Sequence, residues 1–265
     1  MIRSALALTV ATLALAGAAG AAATETSTNW AGYVATGTSF TAVSATWKQP
    51  AAGCSVGETS SAAFWVGLGG SSESSTRLEQ AGTTAECTGT GTARYWAWYE
   101  LVPAAAVKIG LTVRPGDTIS ASVKVSGQTV TMQVRNLTRK TVVTKRRRMA
   151  APDTSSAEWI AEVPSLCTTS GACRTVSLTD FGSVRFTKAT ATGGGHTGTI
   201  SDGAWTATAI ALTSVGSMGQ RFGPYVPYGT SGEAVPTALA ARGSAFAVKW
   251  QQGDTVVETR PVPGW

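Results

Sequence analysis

Polar and apolar positions alternate with a period of two along most of the chain, and helical spacing is almost absent. Residues 40–47 put Val43, Ala45 and Trp47 on one face. Residues 95–102 put Trp96, Trp98, Glu100 and Val102 on one face and Tyr95, Ala97, Tyr99 and Leu101 on the other. Ile119, Ala121, Val123 and Val125 alternate with Ser120, Ser122 and Lys124, and Val130, Met132 and Val134 with Thr131, Gln133 and Arg135. The pattern continues through Val184 and Phe186 and through 205–212. Such runs predict half-buried strands. Pro115-Gly116-Asp117, Ser126-Gly127, Gly193-Gly194-Gly195 and Asp202-Gly203 supply turns between them. Each sheet must bury one face on another, so the chain is predicted to be all-β. The expected form is an antiparallel β-sandwich of two packed sheets, concanavalin-like or jelly-roll-like, with a closed barrel as the second choice.

The most informative stretch is Ser156-Ala157-Glu158-Trp159-Ile160-Ala161-Glu162. As a strand it shows Glu158, Ile160 and Glu162 on one face and Ala157, Trp159 and Ala161 on the other. Glu158 and Glu162 then lie about 13 Å apart along the strand, too far to share a proton. A catalytic Glu here needs its partner from another strand. Gln80, in Leu78-Glu79-Gln80-Ala81-Gly82, is the best candidate, on the same face as Leu78 and opposite to Glu79.

After Thr213 the alternation lapses into Gly- and Pro-rich sequence. Residues 236–242 are expected to form one short helix, with Pro236 at its first turn, and 245–249 and 255–259 further strands. This divides the chain into a signal peptide at 1–23, a β-sandwich domain at 24–215 and a C-terminal extension at 216–265. The start carries the signal: Arg3, an apolar run over 5–16, and small residues at Ala21-Ala22-Ala23. Its apolar run is interrupted and short of the ~20 residues of a membrane span. A secreted, extracellular protein with no membrane attachment after cleavage is expected.

Removing Arg3 from 21 basic and 15 acidic residues leaves a net charge of about +5, which names no partner. The densest basic run, Arg135, Arg139, Lys140, Lys145, Arg146, Arg147 and Arg148, lacks interleaved aromatics. It reads as a solvated hairpin turning at Asn136-Leu137-Thr138 rather than a nucleic-acid surface. Four cysteines in an exported chain suggest two disulfides. Cys167 and Cys173 flank a turn sequence and are expected to pair, leaving Cys54 with Cys87, although four cysteines allow three connectivities. One histidine and no C-x-x-C argue against a metal site, and no metal or cofactor is expected.

Serine-hydrolase chemistry would need His196, which sits in a glycine loop, and no G-x-S-x-G is present. No D-[ST]-G pair supports pepsin-type chemistry. A Glu with a non-carboxylate partner remains: Glu162 as general base and then acid, and Gln80 as donor to a developing oxyanion.

Several blocks, in order, resemble the glutamic peptidases, the eqolisin family (peptidase family G1), in their secreted bacterial type. They are Asn29-Trp30-Ala31-Gly32-Tyr33, Val43-Ser44-Ala45-Thr46-Trp47 with Pro50, Trp65-Val66-Gly67-Leu68-Gly69 and Leu78-Glu79-Gln80-Ala81-Gly82. Ala97-Trp98-Tyr99-Glu100-Leu101-Val102-Pro103 resembles the family's A-W-Y-E-W-Y-P strand, and residues 157–162 its A-E-[FW]-I-x-E block. Gly116-Asp117-Thr118-Ile119, Asn136-Leu137-Thr138 and Leu178-Thr179-Asp180-Phe181 complete the series, which spans 29–213. The resemblance implies two antiparallel sheets of about seven strands each and an acid-active endopeptidase without cofactor. By motif it implies Gln80 and Glu162 as the catalytic pair. Trp30, Trp65, Tyr99, Glu100 and Glu158 would line or support the substrate cleft.

Gly69 and Thr84 depart from the family, which has Asp at both places. Between Ala23 and Asn29 there is no propeptide-sized segment, so propeptide removal is not expected at the N-terminus. Expected partners are protein or peptide substrates, on a monomer, with no nucleic acid. The alternative is a secreted carbohydrate- or peptide-binding module, since sandwiches with exposed Trp and Tyr also hold sugars and fold alone does not choose. A third reading is a glycosidase using Glu100 and Glu162, which requires carboxyls at one of two set separations.

Overall fold

A computed structural model of the chain describes residues 23–167, 173–213 and 232–253, with side chains over 25–164, 176–213 and 232–253. The signal-peptide residues 1–22 and the strand expected at 255–259 lie outside the described residues. No helix occurs among those described.

The strands form two sheets. The first runs, edge to edge, β1 (Ala23–Ser27), β17 (Thr206–Leu212), β2 (Trp30–Thr36), β11 (Ser156–Glu162), β4 (Ser60–Leu68), β5 (Leu78–Cys87), β6 (Ala93–Val102) and β7 (Val107–Ile109). It is antiparallel except where β1 runs parallel to β17 and where the short β14 (Ser177–Leu178) joins the start of β4. The second runs β10 (Thr141–Arg148), β9 (Thr129–Asn136), β8 (Thr118–Ser126), β3 (Phe40–Lys48), β15 (Ser183–Gly193), β19 (Phe246–Gln251) and β18 (Glu233–Pro236). There β16 (His196–Gly198) folds back on the end of β15. One pairing, Leu212 with Ala234, joins the sheets along that side. A separate ribbon pairs β12 (Ser165–Cys167) with β13 (Cys173–Thr175).

The period-two pattern decides which side chains fill the space between the sheets. Val43, Ala45 and Trp47 of β3 meet Tyr33, Phe64 and Trp159 of the first sheet in one buried cluster. Each large side chain removed from water there contributes about 1.5–3 kcal/mol. Phe246 stacks on Phe186 at 5.0 Å and meets Tyr33 edge-on at 4.8 Å. The segment expected as an extension thus places β18 and β19 in the second sheet and an aromatic in the core.

The helix expected over 236–242 does not form. Its backbone is taken by β19 instead: the Thr237 N–H donates to the Ala247 carbonyl at 2.7 Å, and the Ala247 N–H to the Thr237 hydroxyl at 3.0 Å. Ala241 and Arg242 adopt left-handed φ of 50° and 55°, turning the chain so that Ala240 bridges Ala245.

The disulfide Cys54–Cys87 is present, tying the loop before β4 to the end of β5. Cys167 and Cys173 stand opposite each other in register; their side chains lie outside the described residues. The basic run forms a hairpin, with β10 a mostly exposed edge strand whose cations discourage edge-to-edge pairing.

Candidate active site

The first sheet has a second apolar cluster on the face turned away from the core. Trp30 and Val34 of β2, Ala63 and Trp65 of β4, Leu78 of β5, Trp98 of β6 and Ile160 of β11 build it. By alternation these share a face with Glu158 and Glu162, Gln80, and Glu100. Four polar side chains therefore share the face that carries the indoles.

Glu162 ends β11, directly opposite Trp30 on β2. Its Oε1 accepts from the Trp30 indole N–H and the Asn29 side-chain amide, both at 3.3 Å. Its Oε2 accepts from the Trp65 indole N–H at 2.7 Å. The Ser27 hydroxyl donates to the Asn29 Oδ1 at 3.1 Å, which turns the amide nitrogen towards Glu162. The two indoles meet edge-on with centroids 5.1 Å apart. Gly67 makes room for this, because a Cβ there would lie 2.9 Å from Cζ3 of Trp65. Burial, then the negative charge of Glu100, pushes the Glu162 carboxyl up to about 8, and the three N–H donors pull the other way. All three contacts are N–H donations, which the ionised carboxylate accepts without a proton of its own.

Gln80 stands opposite Glu100 on β6 and Gly67 on β4. Its Nε2 donates to Glu100 Oε2 at 2.6 Å, while its Oε1 is buried without a partner. Burial pushes Glu100 up to about 7 against the Gln80 hydrogen bond. Glu162 stands opposite Ala63, so Gln80 and Glu162 are two strands apart and offset by four residues. They do not touch. Glu100 links them: it holds the one and repels the charge of the other.

Of the remaining expected cleft residues, Glu158 shares the face but is fully buried, with neither oxygen hydrogen-bonded. Burial, with the charges of Asp153 and Glu79, holds it well above the ordinary carboxyl range. Tyr99 does not join the site. It faces the inter-sheet core, where Arg147 donates to its hydroxyl at 3.2 Å. His196 pairs with Asp202 at 2.9 Å.

Two contributors were not singled out by sequence reasoning. Asn29 is one; it stood only as the first residue of a block that resembles the family. Asp153 is the other. It precedes β11, and its carboxylate accepts from the Ser75 hydroxyl and, at 3.1 Å, from the Gly70 N–H. A side chain at Gly69 would collide with it, since a Cβ there falls 2.4 Å from the Asp153 Cβ.

Residues 28–219 match the model of the peptidase A4 family. The chain belongs to this family. It is 31% identical over 181 residues to scytalidopepsin B of Scytalidium lignicola, covering 66% of this chain and 67% of that protein. It is 30% identical over 219 residues to aspergillopepsin-2 of Aspergillus niger, covering 73% of each. Among solved structures, scytalido-glutamic peptidase with a transition state analog inhibitor superposes with a TM-score of 0.66 at 25% identity, covering 84% of this chain and 98% of that one. Aspergilloglutamic peptidase from Aspergillus niger superposes at 0.52 with 27% identity, covering 72% and 99%. Membership in the peptidase A4 family makes the chain a glutamic-type endopeptidase, and its two-sheet architecture is that of these relatives.

Proposed function

We propose that the chain is a secreted, acid-acting endopeptidase in which Glu162 is the general base and acid and Gln80 the oxyanion donor. The observation that carries this is the convergence of three N–H donors on Glu162, on the face that also presents Gln80. Donors that only donate favour the carboxylate over the acid.

In this reading the Glu162 carboxylate takes a proton from a water lying between it and Gln80. The water oxygen attacks the scissile carbonyl carbon. The C=O electron pair moves onto oxygen, and the Gln80 N–H stabilises the oxyanion. The tetrahedral intermediate collapses, the C–N bond breaks, and Glu162 returns its proton to the leaving amine. No covalent intermediate forms. The negative charge of Glu100 opposes ionisation of Glu162, so a protonated Glu100 favours the base form. An extended peptide would lie along this face, with apolar side chains against Trp96 and Val102, which are only partly buried. Residues 1–23 would direct export and be cleaved off in the process.

The test is cleavage of an acid-denatured protein from acid to neutral pH, with pepstatin present and Glu162→Gln alongside. Pepstatin-resistant cleavage that vanishes in a folded Glu162→Gln variant supports the reading. Full turnover by that variant overturns the assignment of the base.

A further inference from the structure

We propose that the outer face of the second sheet binds an extended acidic polysaccharide and holds the protein on it with the Glu162 face turned outwards.

The strand pattern defines this face. Every second residue of β3, β8, β9 and β15 lies in the inter-sheet core, as Trp47, Val123, Met132 and Phe186 do, so the residues between them point away from it. Val143 of β10 packs against the same core, which turns Val142, Thr144, Arg146 and Arg148 outwards. The outward set carries six exposed cations: Lys48, Lys124, Arg135, Arg146, Arg148 and Arg185. Across these five strands it carries no Asp or Glu. The nearest acid in the sheet is Glu233, opposite Gln251 at the far edge. Only part of this charge belongs to the basic run of the sequence. Lys145 and Arg147 of that run turn the other way, Lys145 opposite Met132 and Arg147 to the Tyr99 hydroxyl. Lys48, Lys124 and Arg185 come instead from strands distant in the chain.

Register arranges the cations in rows. Arg146 stands opposite Thr131, and Thr131 opposite Lys124, so two cations share a row with Cα atoms about 10 Å apart, two strand spacings. In the next row Thr144, Gln133, Ser122, Ser44 and Thr190 cross all five strands without a charge. The row after that brings Arg135, beside Ser120 and Thr46. Successive rows of one face are about 7 Å apart, so an uncharged polar track runs between two cationic ones. Its hydroxyls and its amide both donate and accept, as sugar hydroxyls do.

This chemistry selects the partner. Cations with no carboxylate among them attract a polyanion. The outward positions offer no aromatic ring on which a base could stack. Val142 is the one large apolar side chain exposed on these strands, too little to enter a bilayer. A polysaccharide with a carboxylate on each sugar meets the remaining requirements: its charges recur along an extended chain, and its hydroxyls suit the polar track. Lys and Arg stay charged from acid to neutral pH, so the face keeps its charge wherever Glu162 works. Because the sheets pack face to face, this surface and the Glu162 face lie on opposite sides of the sandwich. Binding here therefore leaves the cleft clear.

The test is co-sedimentation of the full chain with cross-linked polygalacturonate at about pH 5, where the polymer is ionised, with cleavage of a soluble fluorogenic peptide followed in parallel. The parent should bind at low ionic strength and be released as salt screens the charges. Lys124→Gln combined with Arg146→Gln should weaken binding by about tenfold and leave peptide cleavage as in the parent. Arg94→Gln combined with Lys108→Gln removes the same charge from the first sheet and should leave sedimentation nearly unchanged. Equal losses in the two double variants would show that net charge alone is read, and would overturn the proposal. No binding by the parent at low salt overturns it too, and tighter binding to duplex DNA or to phosphatidylglycerol vesicles overturns the choice of partner. Sedimentation decides the matter whether or not the peptide is cleaved, so the proposal stands or falls separately from the peptidase reading.

Discussion

Replacing Glu79 by Gln should stabilise the protein at neutral pH and leave its stability in acid nearly unchanged. Glu79 is fully buried on β5, with Oε1 accepting the Asp153 N–H at 3.1 Å and Oε2 unpartnered. Burial, opposed by that hydrogen bond and reinforced by the Asp153 charge, moves its carboxyl from 4.5 to about 8. A group raised in this way contributes its full stability below its unfolded value and loses it as pH climbs towards the folded one. Each tenfold change in proton affinity is worth about 1.4 kcal/mol, so the loss reaches about 3 kcal/mol at pH 7 and about 5 kcal/mol above pH 8. The Gln amide also accepts the Asp153 N–H but cannot ionise, so the variant escapes this loss. For a chain of this size a difference of about 3 kcal/mol moves the midpoint by about 6–12 °C. Thermal melts of parent and variant from pH 4 to 8 at constant ionic strength measure it. Their curves should converge in acid and separate towards neutrality. Glu158, also buried and raised, leaves some slope in the variant. Asp153, held below its ordinary value by hydrogen bonds from Ser75, Ser155 and Gly70 despite burial, acts with the opposite sign in both. Parallel curves would refute the reasoning, because they would show that Glu79 carries no raised proton.

Trp65→Phe keeps the ring but removes the 2.7 Å donor to Glu162. A hydrogen bond to a charge is worth about 1.5–3 kcal/mol, so the acid limb of kcat should rise by about one pH unit or more, with kcat there down roughly 10–100-fold; a pH–rate profile reads both. Gly69→Ala places a Cβ against Asp153 on backbone at φ +82°, and should lower stability by about 2 kcal/mol or more in denaturant titration. Removing the Cys54–Cys87 disulfide by paired Ala substitution opens a loop with a sequence separation of 33 and should reduce stability by about 4 kcal/mol, checked by melting with and without reductant.

Which residues share a face was legible in the sequence, because a strand's period of two is local. Glu158, Ile160 and Glu162 were correctly grouped, as were Gln80 with Leu78 and Glu100 with Trp98. Register was not legible, because it depends on strands far apart in the chain. Nothing in residues 156–162 says that Trp30 will stand opposite Glu162 or that Trp65 will reach it diagonally from β4. The donor shell of Glu162 is therefore a product of the pairing β2–β11–β4. Asn29 joins it only because it precedes the residue opposite Glu162. Likewise the helix expected over 236–242 was a fair local reading, defeated by the distant β19 that claimed the same backbone.

Tyr99 and Gly69 show how motif and pattern compete. The resemblance carried Tyr99 into the cleft beside Glu100, yet adjacent strand residues point to opposite faces. The structure keeps the alternation: Glu100 meets Gln80, and Tyr99 meets Arg147 across the core. At Gly69 the motif reported a missing acid. The space that a side chain at 69 would enter holds the Asp153 side chain, bonded to Gly70 and Ser75 of the same loop. An alignment column compares residues at equivalent positions of the chain, whereas the field at Glu79 and Glu158 depends on where the charge sits in space. Asp153 acts on both. Asp153 brings a carboxylate to this place from the segment before β11, and glycine at 69 leaves room for it.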